Sequence, residues 1–136
     1  MMKTITTWKH GHVFKSALQS HHILLNSGKD DKGNALGFNP KALLLSALAG
    51  CSGIDVVDIL KKMKVNFNRL EITTEADQTE KHPRVFKDIT IKYVSDVSEN
   101  DIEKLRKAVE LSLNKYCGVA AMLRKNSNIN YYIECI

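Results

Sequence analysis

Asn39-Pro40-Lys41-Ala42-Leu43-Leu44-Leu45-Ser46-Ala47-Leu48-Ala49-Gly50-Cys51-Ser52-Gly53-Ile54-Asp55-Val56-Val57 decides how the rest of this chain is read. Asparagine caps helices well and proline suits the first helical position, so a helix is predicted to open at Pro40. No further proline occurs before Met63. At 1.5 Å per residue the helix runs about 24 residues, or roughly 36 Å. Its first half, ALLLSALAGCSGI, is apolar or small on every side. Such a helix must be covered all round, which a domain of this size does poorly alone and a second copy of the chain would do better. Its second half, DVVDILKKMK, returns to an amphipathic pattern, and Lys61, Lys62 and Lys64 suit the negative end of the helix dipole.

Outward from this helix the pattern changes period. Residues 3–27 hold three apolar, β-branched pieces (ITTW, HVFKSAL, HHILLN) separated by polar breaks, which reads as short strands. Residues 28–39 carry three glycines and two aspartates and read as a loop. On the other side, residues 67–77 and 85–95 alternate as strands around a polar turn containing Pro83. Ser98 and Asp101 resemble a capping box, and the helix after them places Ile102, Leu105, Val109, Leu113 and Tyr116 on one face. A break near Gly118 precedes a short helix, VAAMLRK, and residues 128–136 close the chain as a strand with Ile129, Tyr131, Ile133 and Cys135 on its inner face. The class is α+β, in a single domain spanning residues 1–136.

Composition narrows the function. The 136 residues are 43% hydrophobic and 26% charged, a globular balance. No run approaches the roughly 20 apolar residues of a membrane span, and the N-terminus, MMKTITTWKHGH, has no apolar export core. A cytoplasmic location without membrane association is expected. The net charge of +5 comes from scattered basic residues without any nucleic-acid-binding motif, so no nucleic-acid partner is expected.

The chemistry rests on three cysteines, Cys51, Cys117 and Cys135. Their odd number argues against a disulfide framework, and no CxxC or Cys/His zinc spacing occurs, so neither a metal nor a cofactor is expected. Cys51 has small neighbours that let a substrate or other backbone approach, although a buried core thiol reads the same way. Asp55, one helical turn on, would disfavour a thiolate there. Cys117 lies where one helix gives way to another, at free N–H groups that favour a thiolate, or it is a packing residue at a bend. Cys135 reads as structural. His10 and His12 alternate along a strand, and a Cys–His pair would suit acyl transfer or hydrolysis, but no nucleophile-elbow motif is present.

Taken together, Gly37-Phe38-Asn39-Pro40 with Ala49-Gly50-Cys51, and Lys115-Tyr116-Cys117-Gly118-Val119-Ala120, resemble the OsmC/Ohr family of osmotically inducible and organic hydroperoxide resistance proteins, most of all its YhfA-like subgroup. The resemblance covers nearly the whole chain. It implies antiparallel sheets wrapped around long central helices in an intertwined homodimer, with a site where the subunits meet. It also implies thiol-dependent reduction of organic hydroperoxides in oxidative or osmotic stress, with Cys51 attacking a small hydrophobic peroxide and Cys117 resolving the sulfenic acid to a disulfide that a thiol reductant reopens. The chain departs from the pattern twice. No arginine precedes Arg69, so only Lys9, His10, His12 or Lys15 could supply an early positive charge, and Lys41 stands where the hydroperoxide enzymes carry glutamate. These departures favour an alternative, a non-catalytic dimeric binding protein with an apolar pocket at the subunit interface.

Overall fold

Alternating side chains and turn residues make the first 44 residues a small sheet. The computed structural model describes residues 1–136, whose backbone divides into two compact units, residues 1–44 and 45–136. In the first unit β1 (Ile5–His10), β2 (Val13–Leu18) and β3 (His21–Leu25) form an antiparallel meander. Gly11, at φ +49°, makes the tight turn between β1 and β2. That turn holds His12, so His10 and His12 do not alternate along one strand as expected. After β3 the chain doubles back, with Asn26 N–H donating to Phe38 O (3.0 Å) and Phe38 N–H to Leu24 O (2.9 Å). Gly37 is required there, since a Cβ would lie 2.8 Å from Leu24 O.

The helix α1 spans Pro40–Lys62. Asn39 Oδ1 caps it by accepting from Lys41 N–H (3.0 Å) and Ala42 N–H (3.4 Å). This chain buries only the stripe Leu48, Ser52, Val56 and Leu60, one residue per turn, and leaves Ile54 67% exposed. The expectation that no segment reaches membrane length needs correcting, because α1 is long and apolar enough by length and composition to cross one. Its stripe packs into a protein core, as a core helix does.

The second sheet has the order β4 (Leu70–Gln78), β5 (Phe86–Ser95), β6 (Ile129–Cys135). β4 and β5 pair antiparallel, whereas β6 runs parallel to β5, so the expectation of wholly antiparallel sheets is wrong for this one. The cause is topological: residues 96–128 form a helical crossover that returns the chain to the end of the sheet where β5 began. β5 is central and supplies the fully buried Ile89, Ile91 and Tyr93. They pack in one core with Val56 and Leu60 of α1 and with Leu105 and Val109 of α2 (Ile102–Leu111).

The crossover departs from its sequence pattern twice. Ser98 does not cap a backbone N–H. Its hydroxyl donates to the Asp101 carboxylate (3.2 Å), and a 3-10 turn, Glu99–Asp101, precedes α2. More consequentially, Ser112–Tyr116 is a π-helical turn, closed by Cys117 N–H donating to Ser112 O (2.7 Å). The wider turn accommodates an extra residue and rotates the residues after it about the helix axis. Tyr116, expected on the buried face, is 54% exposed, and Cys117 is 3% exposed. Arg124 supports the turn by donating to Leu113 O (2.5 Å).

Candidate active site

α1 and the π-helical turn place the two cysteines of interest side by side. Cys51 Sγ, Cys117 Sγ and one carboxylate oxygen of Asp55 all lie within 4.8 Å of one another. Asp55 follows Cys51 by four residues and therefore sits above it on the same helix face. Both cysteines are free thiols, Cys51 half-buried and Cys117 buried. Apolar side chains surround them, since both pack in the core formed by α1, α2 and the second sheet.

Cys117 also caps α3 (Gly118–Leu123), its sulfur accepting from Ala120 N–H at 3.3 Å. The sequence suggested that such N–H groups would favour a thiolate. Burial outweighs them: it is the largest influence on the Cys117 thiol, and with Cys51 and Asp55 adding in the same direction it pushes the pKa up from 9.0 to about 11. Cys117 is therefore a protonated thiol at neutral pH.

Beneath the sulfurs runs a chain of buried hydroxyls that the sequence did not reveal. Tyr93 Oη lies 2.6 Å from Ser52 Oγ, and Ser112 Oγ lies 2.9 Å from both Ser52 Oγ and Asp55 Oδ2. Each hydroxyl has one proton, and an ionised carboxylate can only accept. The Ser112 hydroxyl donates to Ser52 Oγ and to Asp55 Oδ2, sharing its one proton between them, and either hydroxyl of the Tyr93–Ser52 pair can be the donor. Burial raises the Tyr93 pKa to about 12, which keeps its proton in place. The one signal in the sequence was Ser52 itself, a polar residue on the stripe Leu48, Ser52, Val56, Leu60, because a buried hydroxyl needs a partner.

Cys135 is not inward-facing as expected but exposed. β6 ends there, at its last pairing with Ser95, where the strand leaves the core. Lys9 and His10 lie on β1, His12 in the turn after it and Lys15 on β2, all in the first unit. Lys41 lies in the first turn of α1. Two thiols and a carboxylate are also a donor set suited to a soft divalent cation, which the spacing of the cysteines along the chain did not suggest.

Comparison with known proteins agrees with this architecture. Residues 29–131 match the OsmC-like protein family. The chain is 32% identical over 136 residues to protein YhfA of Escherichia coli strain K12, covering 99% of this chain and 98% of that one. Among solved structures, a hypothetical protein from Aquifex aeolicus VF5 superposes with a TM-score of 0.83 at 30% identity, covering 100% of this chain and 98% of the other. The organic hydroperoxide resistance protein OhrB of Bacillus subtilis shares the fold at a TM-score of 0.66 and 16% identity, over 97% of this chain and 98% of its own. By sequence over nearly its full length and by its two sheets and helices, the chain belongs to the OsmC-like protein family.

Proposed function

We propose that this protein reduces organic hydroperoxides with its thiol pair, as part of a response to oxidative or osmotic stress. The observation that carries the reading is the approach of Cys51 Sγ to Cys117 Sγ within 4.8 Å across 66 residues of chain. Cys51 attacks the peroxide: the O–O bond breaks, the thiol becomes a sulfenic acid, and an alcohol leaves. Cys117 then condenses with the sulfenic acid, forming a disulfide and releasing water, and a dithiol reductant restores both thiols. Cys51 is the attacking residue in this reading because it is the more exposed of the two. Apolar surroundings favour a hydrophobic peroxide over hydrogen peroxide.

The working form in this reading is a homodimer in a reducing cytoplasm. The exposed side of α1 supports it: Ala49, Gly50, Gly53, Ile54 and Val57 line a mostly apolar groove of about 600 Å³ with Leu70 and Ile72, Asp58 being its one charged residue, and a second copy of the chain would cover it. The binding-protein reading draws on the lack of an arginine before Arg69, on Lys41, which stands where the hydroperoxide enzymes are expected to carry glutamate, and on the raised Cys117 pKa.

One experiment separates the two. Stoichiometric cumene hydroperoxide is expected to consume two thiols per chain and to join Cys51 to Cys117 in the peptide map. If both thiols remain free, and native mass spectra show a small molecule retained by the dimer, the peroxidase reading is replaced by the binding reading.

A further inference from the structure

Closing a disulfide at this site requires a proton to move. The Cys117 thiol holds its proton at neutral pH, and the hydroxyl of a sulfenic acid leaves readily only as water. No arginine precedes Arg69, and Lys41 lies in the first turn of α1, ten residues before Cys51. A different charged group stands at the sulfurs. Asp55 has an oxygen within 4.8 Å of both Sγ atoms, and its Oδ2 is held by the Ser112 hydroxyl at 2.9 Å. Because Ser112 is itself fixed through Ser52 to Tyr93, the carboxylate is anchored to the core. Asp55 also lines a surface groove of about 390 Å³ with Asp58, Ile59 and Lys62 of α1 and with Leu111 and Tyr116 of the crossover, so it faces water as well as the thiols.

We propose that Asp55 is the proton carrier of the thiol pair. The step rests on the peroxidase reading above for its sulfenic acid. As the Cys117 S–H bond breaks, its proton passes to the Asp55 carboxylate. The electron pair left on Cys117 Sγ forms the bond to Cys51 Sγ, and the Cys51 S–O bond breaks. The departing oxygen takes the proton back from Asp55, so water leaves and the carboxylate is regenerated. No further oxidant or reductant enters. The carboxylate raises the cost of a standing thiolate while shortening the path by which one is made and used. The other ionisable groups packed on Asp55 are Cys51, Asp58 and Lys62 from its own helix, Cys117 and Tyr116 from the crossover, and Tyr93 from β5.

The test measures two rates that a general loosening of the site would not separate. In Asp55→Asn, disulfide closure after cumene hydroperoxide is expected to slow by about 10²-fold, the lower end of what a positioned acid–base group contributes. Dimedone should then trap sulfenic acid on Cys51. Asp55→Glu, which keeps the carboxylate, should restore closure to within several-fold. Diamide closes the pair without peroxide, and Asp55→Asn should slow that reaction too. If diamide closure is slowed but the wild type ignores the peroxide, the peroxidase reading falls and the role of Asp55 stands. Closure by Asp55→Asn at the wild-type rate with both oxidants overturns the proposal.

Discussion

The two sheets of this protein have three strands each and opposite fates for their apolar side chains. β5 buries Phe86, Ile89, Ile91, Tyr93 and Val94. In the first sheet, Ile5, Trp8, Phe14, Leu18 and Leu24 are all exposed, Trp8 by 61%. Both sheets have strand-like alternation, so the difference does not lie in local propensity. It lies in what covers them: the second sheet belongs to a core completed by α1, α2 and α3, whereas the apolar side chains of the first sheet stay exposed. Alternation along a strand thus specifies the strand but not what lies against it.

Core truncation should break this comparison most sharply. Ile91→Ala removes a fully buried side chain and is expected to cost about 2–5 kcal/mol at any protein concentration. Leu24→Ala should instead give a loss of melting temperature that grows as the protein is diluted, the signature of stability shared with a partner. A Leu24→Ala melting temperature that is independent of concentration would remove the second copy from the argument.

A smaller effect probes the polar part of the core. The pKa values of Tyr93 and Cys117 in the folded chain, about 12 and about 11, lie above their ordinary values of 10.0 and 9.0. As pH rises past about 9, the unfolded chain releases these protons first, so the stability they contribute is complete below that pH and is lost through about 11 to 12. Tyr93→Phe should cost about 1 kcal/mol at pH 7 and flatten the alkaline decline, which urea titrations at pH 7 and pH 11 would measure. An unchanged alkaline slope would mean that Tyr93 ionises as freely in the folded chain as in the unfolded one.

The smallest effect belongs to Cys135. Cys135→Ser should change stability by less than about 0.5 kcal/mol. In the wild type, iodoacetamide should label Cys135 first, Cys51 next and Cys117 last, according to their exposure. Peptide mapping of a time course gives the order, and early labelling of Cys117 would show that the site opens more readily than its packing suggests.

Local signals made much of the fold legible. Asn39-Pro40 marked the start of α1, and turn residues marked off all three strands of the first sheet. The cysteine strings pointed to Cys51 and Cys117, whose sulfurs the fold brings within 4.8 Å of each other. What stayed hidden depended on long-range registration. The hydroxyl chain joins residues 41 and 60 positions apart, and nothing in their neighbourhoods announces it. The parallel pairing of β6 depends on the length and path of the crossover. The positions of Tyr116 and Cys117 could not be read from a 3.6-residue period, because the helix abandons that period at Ser112.

That irregular turn carries a consequence for how such a site could be gained or lost. A path from Leu111 to Gly118 in regular α-helical geometry would need one residue fewer. A single-codon deletion among residues 112–116 would let the helix wind evenly and present a different atom to Cys51. The sulfur of Cys117 is therefore held beside Cys51 by an insertion-sized irregularity, and that proximity is as heritable, and as easily erased, as one extra residue in a helix.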